Sequence, residues 1–458
     1  MKTKKIISGS LSLMTLSSSF FLGCKQEQPV AETTPPNVII LLTDDLGYGD
    51  ITVHGSPTIR TPYIDTLASN GIRFTNMYSS APVSAPSRRG LMTGRFAQRI
   101  VADGNELPHE HMSPEEITLA ELFKSNNYNT ACIGKWHLGM KTGSHPNDQG
   151  FDYYYGTSSS NDHFPLPGFE YTYEGYKNAR MDQFNLPLYR QRDTIEIPVN
   201  QKLFTKRYTD EAKKWITDNK DTPFFLYLAY NMPHVPLFPS DEYAGKSKGG
   251  KFGNAVEEVD RSIGELVETL QDNGIDKNTI IIFSSDNGPW RIFNELGGSS
   301  GPFRNGKGTS WEGAFRVPGI FVWPAHIKPS VIMDPVSHID FFATFSALLA
   351  TPLPPDRVYD SKNLLPMLLE GIPSPRDEFY YFAEHRNELW GVRKGKYKIH
   401  VKSVSEHRGI PTYNDPPLLY DLSDDPAETH NIAEEHPEIV RDLLMMFNNM
   451  NRELKAEK

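Results

Sequence analysis

The 458 residues carry a formal charge of −10, with 38% hydrophobic and 23% charged side chains. This is the balance of a folded, water-soluble protein too long for one ordinary core, so a large domain and a smaller one are expected. A net acidic chain excludes a general nucleic-acid binder, whose footprint is a basic patch, but a local cluster of Lys, Arg and His can still hold a small anion.

The N-terminus reads as a targeting segment rather than part of the fold. Lys2, Lys4 and Lys5 precede an apolar, Ser-rich run from Ile6 to Leu22, and the run closes on Phe21-Leu22-Gly23-Cys24. That tetrad resembles a bacterial lipobox. Residues 1–23 are therefore expected to be a lipoprotein signal peptide, Cys24 the lipidated residue, and residues 24–36 a polar tether. The alternative is an ordinary signal peptide with Cys24 incidental. Lipidation would make this a bacterial lipoprotein of the periplasm or cell surface, touching the membrane only through its lipid. Cys132 would then be the one remaining cysteine, a small buried hydrophobe with no disulfide partner.

Asn37 to Thr43 is a short apolar run rich in β-branched residues, the pattern of a buried parallel strand. It ends at Asp44-Asp45, at the strand edge where open α/β sheets place ligands. Pro62 to Ser69 reads as a helix and Gly71 to Met77 as a strand. Ala85 to Thr93 reads as a helix with Pro86 in its first turn, which puts Ser84 at the positive N-terminus. Helix Ile117–Ser125 precedes strand Tyr128–Ile133, and helix Leu203–Asp218 precedes strand Phe224–Tyr230. Residues 150–199 show little periodicity and many Tyr, Asn, Asp and Pro, and are read as long loops over a cleft. Gly253 to Asn273 is a long amphipathic helix. Thr279 to Ser284 is a strand ending at Ser285-Asp286-Asn287-Gly288, and Gly319 to Trp323 and Asp340 to Leu349 add a strand and a helix. Repeated βα units predict an α/β fold, a large mostly parallel sheet sandwiched by helices, over residues 37–373. From 374 to 458 the pattern changes to antiparallel strands (Glu378–Ala383, Leu389–Val392, Tyr397–Val401, Leu418–Asp421) and a helix, Pro437–Asn449.

One Asp-Asp or Asp-Asn pair is commonly a turn or a helix cap. Here two pairs, Asp44-Asp45 and Asp286-Asn287, each follow a buried strand, and carboxylates converging at a sheet edge repel one another unless a cation lies between them. All-oxygen ligation favours Ca²⁺ or Mg²⁺ over zinc.

Ser84-Ala85-Pro86-Ser87-Arg88, continued by Thr93-Gly94-Arg95, resembles the signature of the type I sulfatases, in which a Cys or Ser at the first position is oxidised to formylglycine (3-oxoalanine). Further blocks match in family order: Gly134-Lys135-Trp136-His137-Leu138-Gly139, Pro233-His234-Val235-Pro236, and Gly301 to Thr309 followed by Trp311-Glu312-Gly313. Asn127 stands where that family usually has Gly, a matter of a turn. The block order is most similar to the arylsulfatase A and N-acetylgalactosamine-6-sulfatase group. The resemblance implies an alkaline phosphatase-like fold and hydrolysis of sulfate monoesters, of sulfated glycans above all. It implies Ca²⁺, with Mg²⁺ as the alternative, on Asp44, Asp45, Asp286, Asn287 and modified Ser84. In that scheme Asp286 takes a proton from the hydrated aldehyde, whose oxygen attacks sulfur, and Arg88 holds the diol and the carboxylates. Lys135, His234 and Lys307 offset charge on sulfate, His234 or Lys307 protonates the leaving alcohol, and His137 is the base that restores the aldehyde. Ser160 falls at a position that touches sulfate or its sugar, and Asn161, Asp162, His163, Trp290 and Arg291 are candidates for the sugar subsite. Serine at position 84 implies a maturase able to oxidise Ser. Two other readings are a phosphodiesterase, phosphonate hydrolase or phosphatase using Ser84 directly, and a glycan-binding lipoprotein whose Ser84 is never converted.

Overall fold

Every residue of strand β1 (Asn37–Thr43) is buried, and its alternating side chains serve two different cores. Ile39 and Leu41 join one apolar cluster, Val38, Ile40 and Leu42 the other. This is the geometry of a central strand with a layer of helices on each face. The computed structural model describes residues 1, 34–100, 111–383 and 388–456. Residues 1–34 separate from a compact unit of 35–458, and the description concerns that unit. Cys24 and nearly all of the expected leader and tether lie outside the described residues. No helix among the described residues is long and apolar enough to cross a membrane.

The large sheet contains β1, β2 (Ile72–Tyr78), β3 (Asn129–Lys135), β4 (Tyr153–Thr157), β5 (Leu188–Arg190), β6 (Asp193–Glu196), β7 (Phe224–Ala229), β8 (Thr279–Ser285), β9 (Arg316–Val322), β10 (Ser330–Ile332) and β11 (Val336–Ser337). Its order is β10-β2-β9-β8-β1-β7-β3-β4-β5-β6, with β11 also on β2. The five central strands, β8-β1-β7-β3-β4, are all parallel. Among the described residues of this sheet, antiparallel pairing enters toward the margins, through β9 between β2 and β8 and through the β5–β6 hairpin beside β4. Helices α1 (Pro62–Asn70), α2 (Ser84–Thr93), α3 (Leu119–Ser125), α4 (Phe204–Asp218), α5 (Gly250–Asp272) and α6 (Asp340–Leu348) cover it. Residues of α1, α4 and α5 fill one apolar cluster, and residues of α2, α3 and α6 the other.

Residues 150–199 depart from the expected long loops, because β4, β5 and β6 lie there. Tyr153-Tyr154-Tyr155 has the aromatic content of a strand, but β4 is short and buried along most of its length, so it lacks the polar-apolar alternation that marks strands in a sequence. Asn127 takes φ +63°, the left-handed turn for which Gly is usual and Asn is the next best residue. Gly134 has φ +102°, and a Cβ on it would stand 1.9 Å from the Ala229 carbonyl oxygen, so no other residue fits before Lys135. Cys132 is wholly buried in β3, as a small hydrophobe should be.

The second sheet is antiparallel, in the order β12 (Glu378–Phe382), β13 (Leu389–Lys394), β14 (Tyr397–Ser403) and β15 (Thr412–Asp421). Helix α7 (Pro437–Ala456) lays Val440, Leu443, Met450 and Leu454 into the core of this sheet. β15 begins six residues earlier than expected. Its Pro416 and Pro417 concealed it, and as the edge strand it tolerates them.

Candidate active site

Register builds the site. Thr43 pairs with Ser285 across β1 and β8, so Asp44 and Asp286 emerge side by side where the strands end. The Asp286 amide still donates to the Thr43 carbonyl (3.1 Å), and the Asp45 amide donates to Asp286 Oδ1 (3.1 Å). Asn287 Nδ2 donates to Asp45 Oδ1 at 2.7 Å. The two acidic doublets therefore converge, and all four side chains are at most 2% exposed.

Ser84 is the first residue of α2 and is 4% exposed. Its hydroxyl lies 3.0 Å from Asp44 Oδ1 and 3.4 Å from Asn287 Oδ1. One turn on, Arg88 points the same way. It donates from Nε (3.0 Å) and Nη2 (2.8 Å) to Asp286 Oδ2, and from Nη1 to the Lys135 carbonyl and the Tyr227 hydroxyl, both at 3.2 Å. Both oxygens of Asp286 thus already accept hydrogen bonds. The carboxylate in contact with Ser84 is Asp44, where the sequence pointed to Asp286 as proton acceptor.

Lys135 ends β3 and donates to Asp44 Oδ2 (2.7 Å) and Ser160 Oγ (2.8 Å). Lys307 donates to Asp45 Oδ2 at 2.8 Å and lies 4.1 Å from the centre of the Trp290 ring. His234 places Nε2 3.6 Å from Asp45 Oδ2. Its Nδ1 meets two acceptors, Asn161 Oδ1 (3.1 Å) and the Val235 carbonyl, which hold the proton on Nδ1 and turn Nε2 inward. Asn161 was expected at the sugar subsite. Instead it is fully buried, and its amide nitrogen donates to the carbonyls of His234 (3.3 Å) and Pro236 (2.8 Å), so it orients His234. His137, at φ +61°, packs edge-on against His163 at 5.3 Å, and its buried Nδ1 has no hydrogen-bond partner among the described residues.

These groups surround a cavity of about 140 Å³ whose walls include Ser84, His137, Ser160, Asp162, His163, His234, Trp290 and Lys307. Lys135 is wholly buried and does not line it, reaching the site through its bonds to Ser160 and Asp44. Asp162 accepts from the Tyr176 hydroxyl at 2.7 Å. Arg291 stands outside, in an adjoining groove. Two further wall residues, His407 and Arg408, come from the turn between β14 and β15. No motif marks that turn, and only the fold brings it here. Tyr227 was likewise hidden, inside an apolar strand.

Three carboxylates (Asp44, Asp45, Asp286) face three cations (Arg88, Lys135, Lys307). Burial pushes the Asp44 carboxyl up, but Lys135, His234 and Arg88 together outweigh it and hold it below its ordinary value. Burial lowers Lys135 despite Asp44, whereas Asp45 and Asp44 overcome burial at Lys307 and raise it. Burial and the neighbouring Lys135 drive His137 well below 6.5, leaving a neutral imidazole able to accept a proton. Asp44, Asp45 and His234 each bring a ligand atom within 4.8 Å of the others. The oxygens of Asn287 and Ser84 lie beside them, and the oxygen donors of Asp44, Asp45, Asn287 and Ser84, taken without the His234 nitrogen, are of the kind a hard divalent cation accepts.

The loop bearing Lys307 is anchored from the second sheet. Lys398 Nζ lies 2.9 Å from both Glu312 Oε1 and Glu428 Oε1, with all three side chains wholly buried. Glu428 Oε2 accepts from the Glu312 amide (2.7 Å), and Glu312 also accepts from Tyr78, Tyr381 and Arg316. Arg304 stacks 3.6 Å over Trp311 and donates to the Glu428 carbonyl.

Residues 36–351 match the family model described as Sulfatase, and residues 374–458 match the C-terminal region of aryl-sulfatase. The chain is 38% identical over 394 residues to N-acetylgalactosamine-6-sulfatase of Mus musculus, covering 80% of this chain and 72% of that one. It is 36% identical over 431 residues to the arylsulfatase of Hemicentrotus pulcherrimus, covering 87% and 78%. Among solved structures, a sulfatase described in the metabolism of multiple glycosaminoglycans by Bacteroides thetaiotaomicron superposes with a TM-score of 0.75 at 29% identity, over 91% of this chain and 99% of that one.

Proposed function

The chain belongs to the sulfatase family, a family of sulfuric ester hydrolases, and we propose that it cleaves sulfate monoesters of carbohydrates in the Ser84 cavity, with Ser84 oxidised to formylglycine and Ca²⁺ held by Asp44, Asp45, Asp286 and Asn287. The carrying observation is the placement of the Ser84 hydroxyl, 3.0 Å from Asp44, in a small buried cavity walled by His234 and Lys307. Bound there, the cation would polarise oxygen and add positive charge, and the hydrated aldehyde would supply the nucleophilic oxygen. Calcium is preferred because it accepts six to eight oxygen ligands in flexible geometry, whereas magnesium demands a near-ideal octahedron and keeps several waters.

The chain's own residues do the remaining work. Lys307 and His234 face the sulfate oxygens, and Lys135 acts through Asp44 and Ser160. Arg88 fixes Asp286, and Asn161 fixes His234. His234 or Lys307 would carry the proton to the leaving alcohol, His234 only as the imidazolium, because a neutral ring with its proton on Nδ1 has none on Nε2 to give, and neutral His137 accepts the proton when sulfate departs. A carbohydrate is the proposed substrate because relatives named for sugar sulfates span most of the chain.

We further propose a maturase acting on Ser84, and division of the folded part into residues 37–373 and 374–458, supported by the two family spans. Gly23-Cys24 after the apolar run supports a lipid-anchored bacterial envelope protein. Loss of fatty-acid labelling in Cys24→Ser is the expected result, and persistent labelling would end that proposal. The reaction is tested with matched aryl sulfate and aryl phosphate esters, alongside mass spectrometry of the Ser84 peptide. Preference for the sulfate and a peptide lighter by about two hydrogens are expected. Active protein carrying plain serine would overturn the assignment.

A further inference from the structure

Beside the small cavity lies a second space of about 340 Å³, and Lys307 and His407 form walls of both. Its volume falls within the roughly 300–1,000 Å³ of ordinary ligand sites. The ester's alcohol half must leave the small cavity somewhere, and this groove opens along Lys307. Among its described lining residues only Ile292 offers a sizeable apolar side chain, while Arg291, Asn294, Asn305 and Glu406 supply polar ones. A flat aromatic alcohol would find almost nothing to pack against there, whereas hydroxyl groups would find donors and acceptors.

Those polar groups are unspent. The side chains of Asn294, Asn305 and Glu406 make no hydrogen bond among the described residues, and Arg291 makes one long contact, 3.4 Å to Ser300 Oγ. Arg408 is exposed on the wall of the cavity, its guanidinium 5.7 Å from the centre of the Trp290 ring, and it holds no carboxylate among the described residues. Elsewhere, exposed arginines such as Arg180, Arg190 and Arg192 each hold a carboxylate. Asn294 (φ +49°, ψ −123°), Asn305 (φ +58°) and Arg408 (φ +63°) all carry the left-handed φ that non-glycine residues avoid. Such conformations persist where the surrounding structure holds them, and they gather at ligand sites.

We infer that this groove receives the alcohol half of the substrate as a sugar bearing a second anionic group, and that Arg291 and Arg408 select for that group. A carboxylate and a further sulfate ester share the required chemistry, both accepting from a guanidinium. Glu406 on the same groove would accept from sugar hydroxyls. The inference rests on the sulfatase reading of the Ser84 cavity.

The test uses the matured full-length enzyme and three sugar monosulfates of matched skeleton: one otherwise neutral, one with a neighbouring carboxylate, one with a second sulfate. The wild type should favour at least one doubly charged ester by about tenfold or more in kcat/KM, chiefly through KM. Arg291→Ala and Arg408→Ala should each cut that preference ratio severalfold, and salt should erode it. The arm that carries the preference tells carboxylate from sulfate. Equal kcat/KM on all three esters, or an unchanged ratio in both variants, would overturn the inference while leaving the reaction intact. Release of sulfate from no ester would overturn the reaction, and the inference with it.

Discussion

Replacing Lys307 by Met tests the charge arithmetic of the site most directly. Methionine keeps an unbranched stem beside Trp290 while removing the ammonium. The three carboxylates would then face two cations, and the wall nearest the ester would lose its positive charge. A unit charge about 4 Å from a sulfate oxygen is worth roughly 4 kcal/mol at the effective dielectric of partly buried sites. Losing one donor to developing negative charge costs about 2.7–4 kcal/mol in comparable cases. The expected fall in kcat/KM is therefore on the order of 10²- to 10³-fold. Asp45 would keep its contacts to Asn287 and His234, so the protein should still fold, with a lowered melting temperature. The assay is release of inorganic sulfate, on protein whose circular dichroism matches the wild type. A rate within about threefold of the wild type would refute the reasoning, because Lys307 would then face no charge in the transition state.

Metal removal should act on stability as well as rate. Chelation is expected to abolish turnover and lower the melting temperature, with Ca²⁺ restoring both; a hundredfold excess of ion over its Kd corresponds to about 2.7 kcal/mol. Unchanged melting after exhaustive chelation would remove the ion from these carboxylates. Lys398→Met leaves two buried carboxylates short of a partner and should cost about 3–5 kcal/mol in urea denaturation; a loss below about 1 kcal/mol would show the cluster to be dispensable. Burial pushes the Glu312 carboxyl up, yet Lys398, Arg316 and Arg393 hold it well below its ordinary 4.5. Its contribution is thus present above about pH 4.5 and is lost progressively as pH falls below that value. Wild type should accordingly lose part of its stability margin over Glu312→Gln as pH drops from 5 toward 3, and a margin independent of pH would contradict the assignment.

The parts of the site that the sequence disclosed are those whose signal is local. β1 and β8 are short buried runs rich in β-branched residues, and the residues following them had to meet if the strands were neighbours. Ser84 opens a helix with Pro in its first turn, so its place at a positive N-terminus could be read without tertiary knowledge. What escaped depends on long-range placement. Asn161 is one polar residue in a polar loop until His234 is seen against it, 73 positions away. Tyr227 looks like any aromatic core residue until Arg88 is found at its hydroxyl. His407 and Arg408 lie in a turn with no periodicity, and nothing but the packing of β14 and β15 carries them to the cavity. β4 was missed because a strand covered on both faces has no alternation to display.

The Glu312–Lys398–Glu428 triad has a bearing on how the molecule comes into being. Lys307 and its loop are synthesised some ninety residues before Lys398 and well over a hundred before Glu428, yet the loop rests on both. A nascent chain that has emerged only as far as β9 holds every reacting group but lacks the buttress that sets one of them. The pocket should therefore close last, from the C-terminal end backward, and a fragment cut after residue 373 should be catalytically mute even if its larger sheet forms.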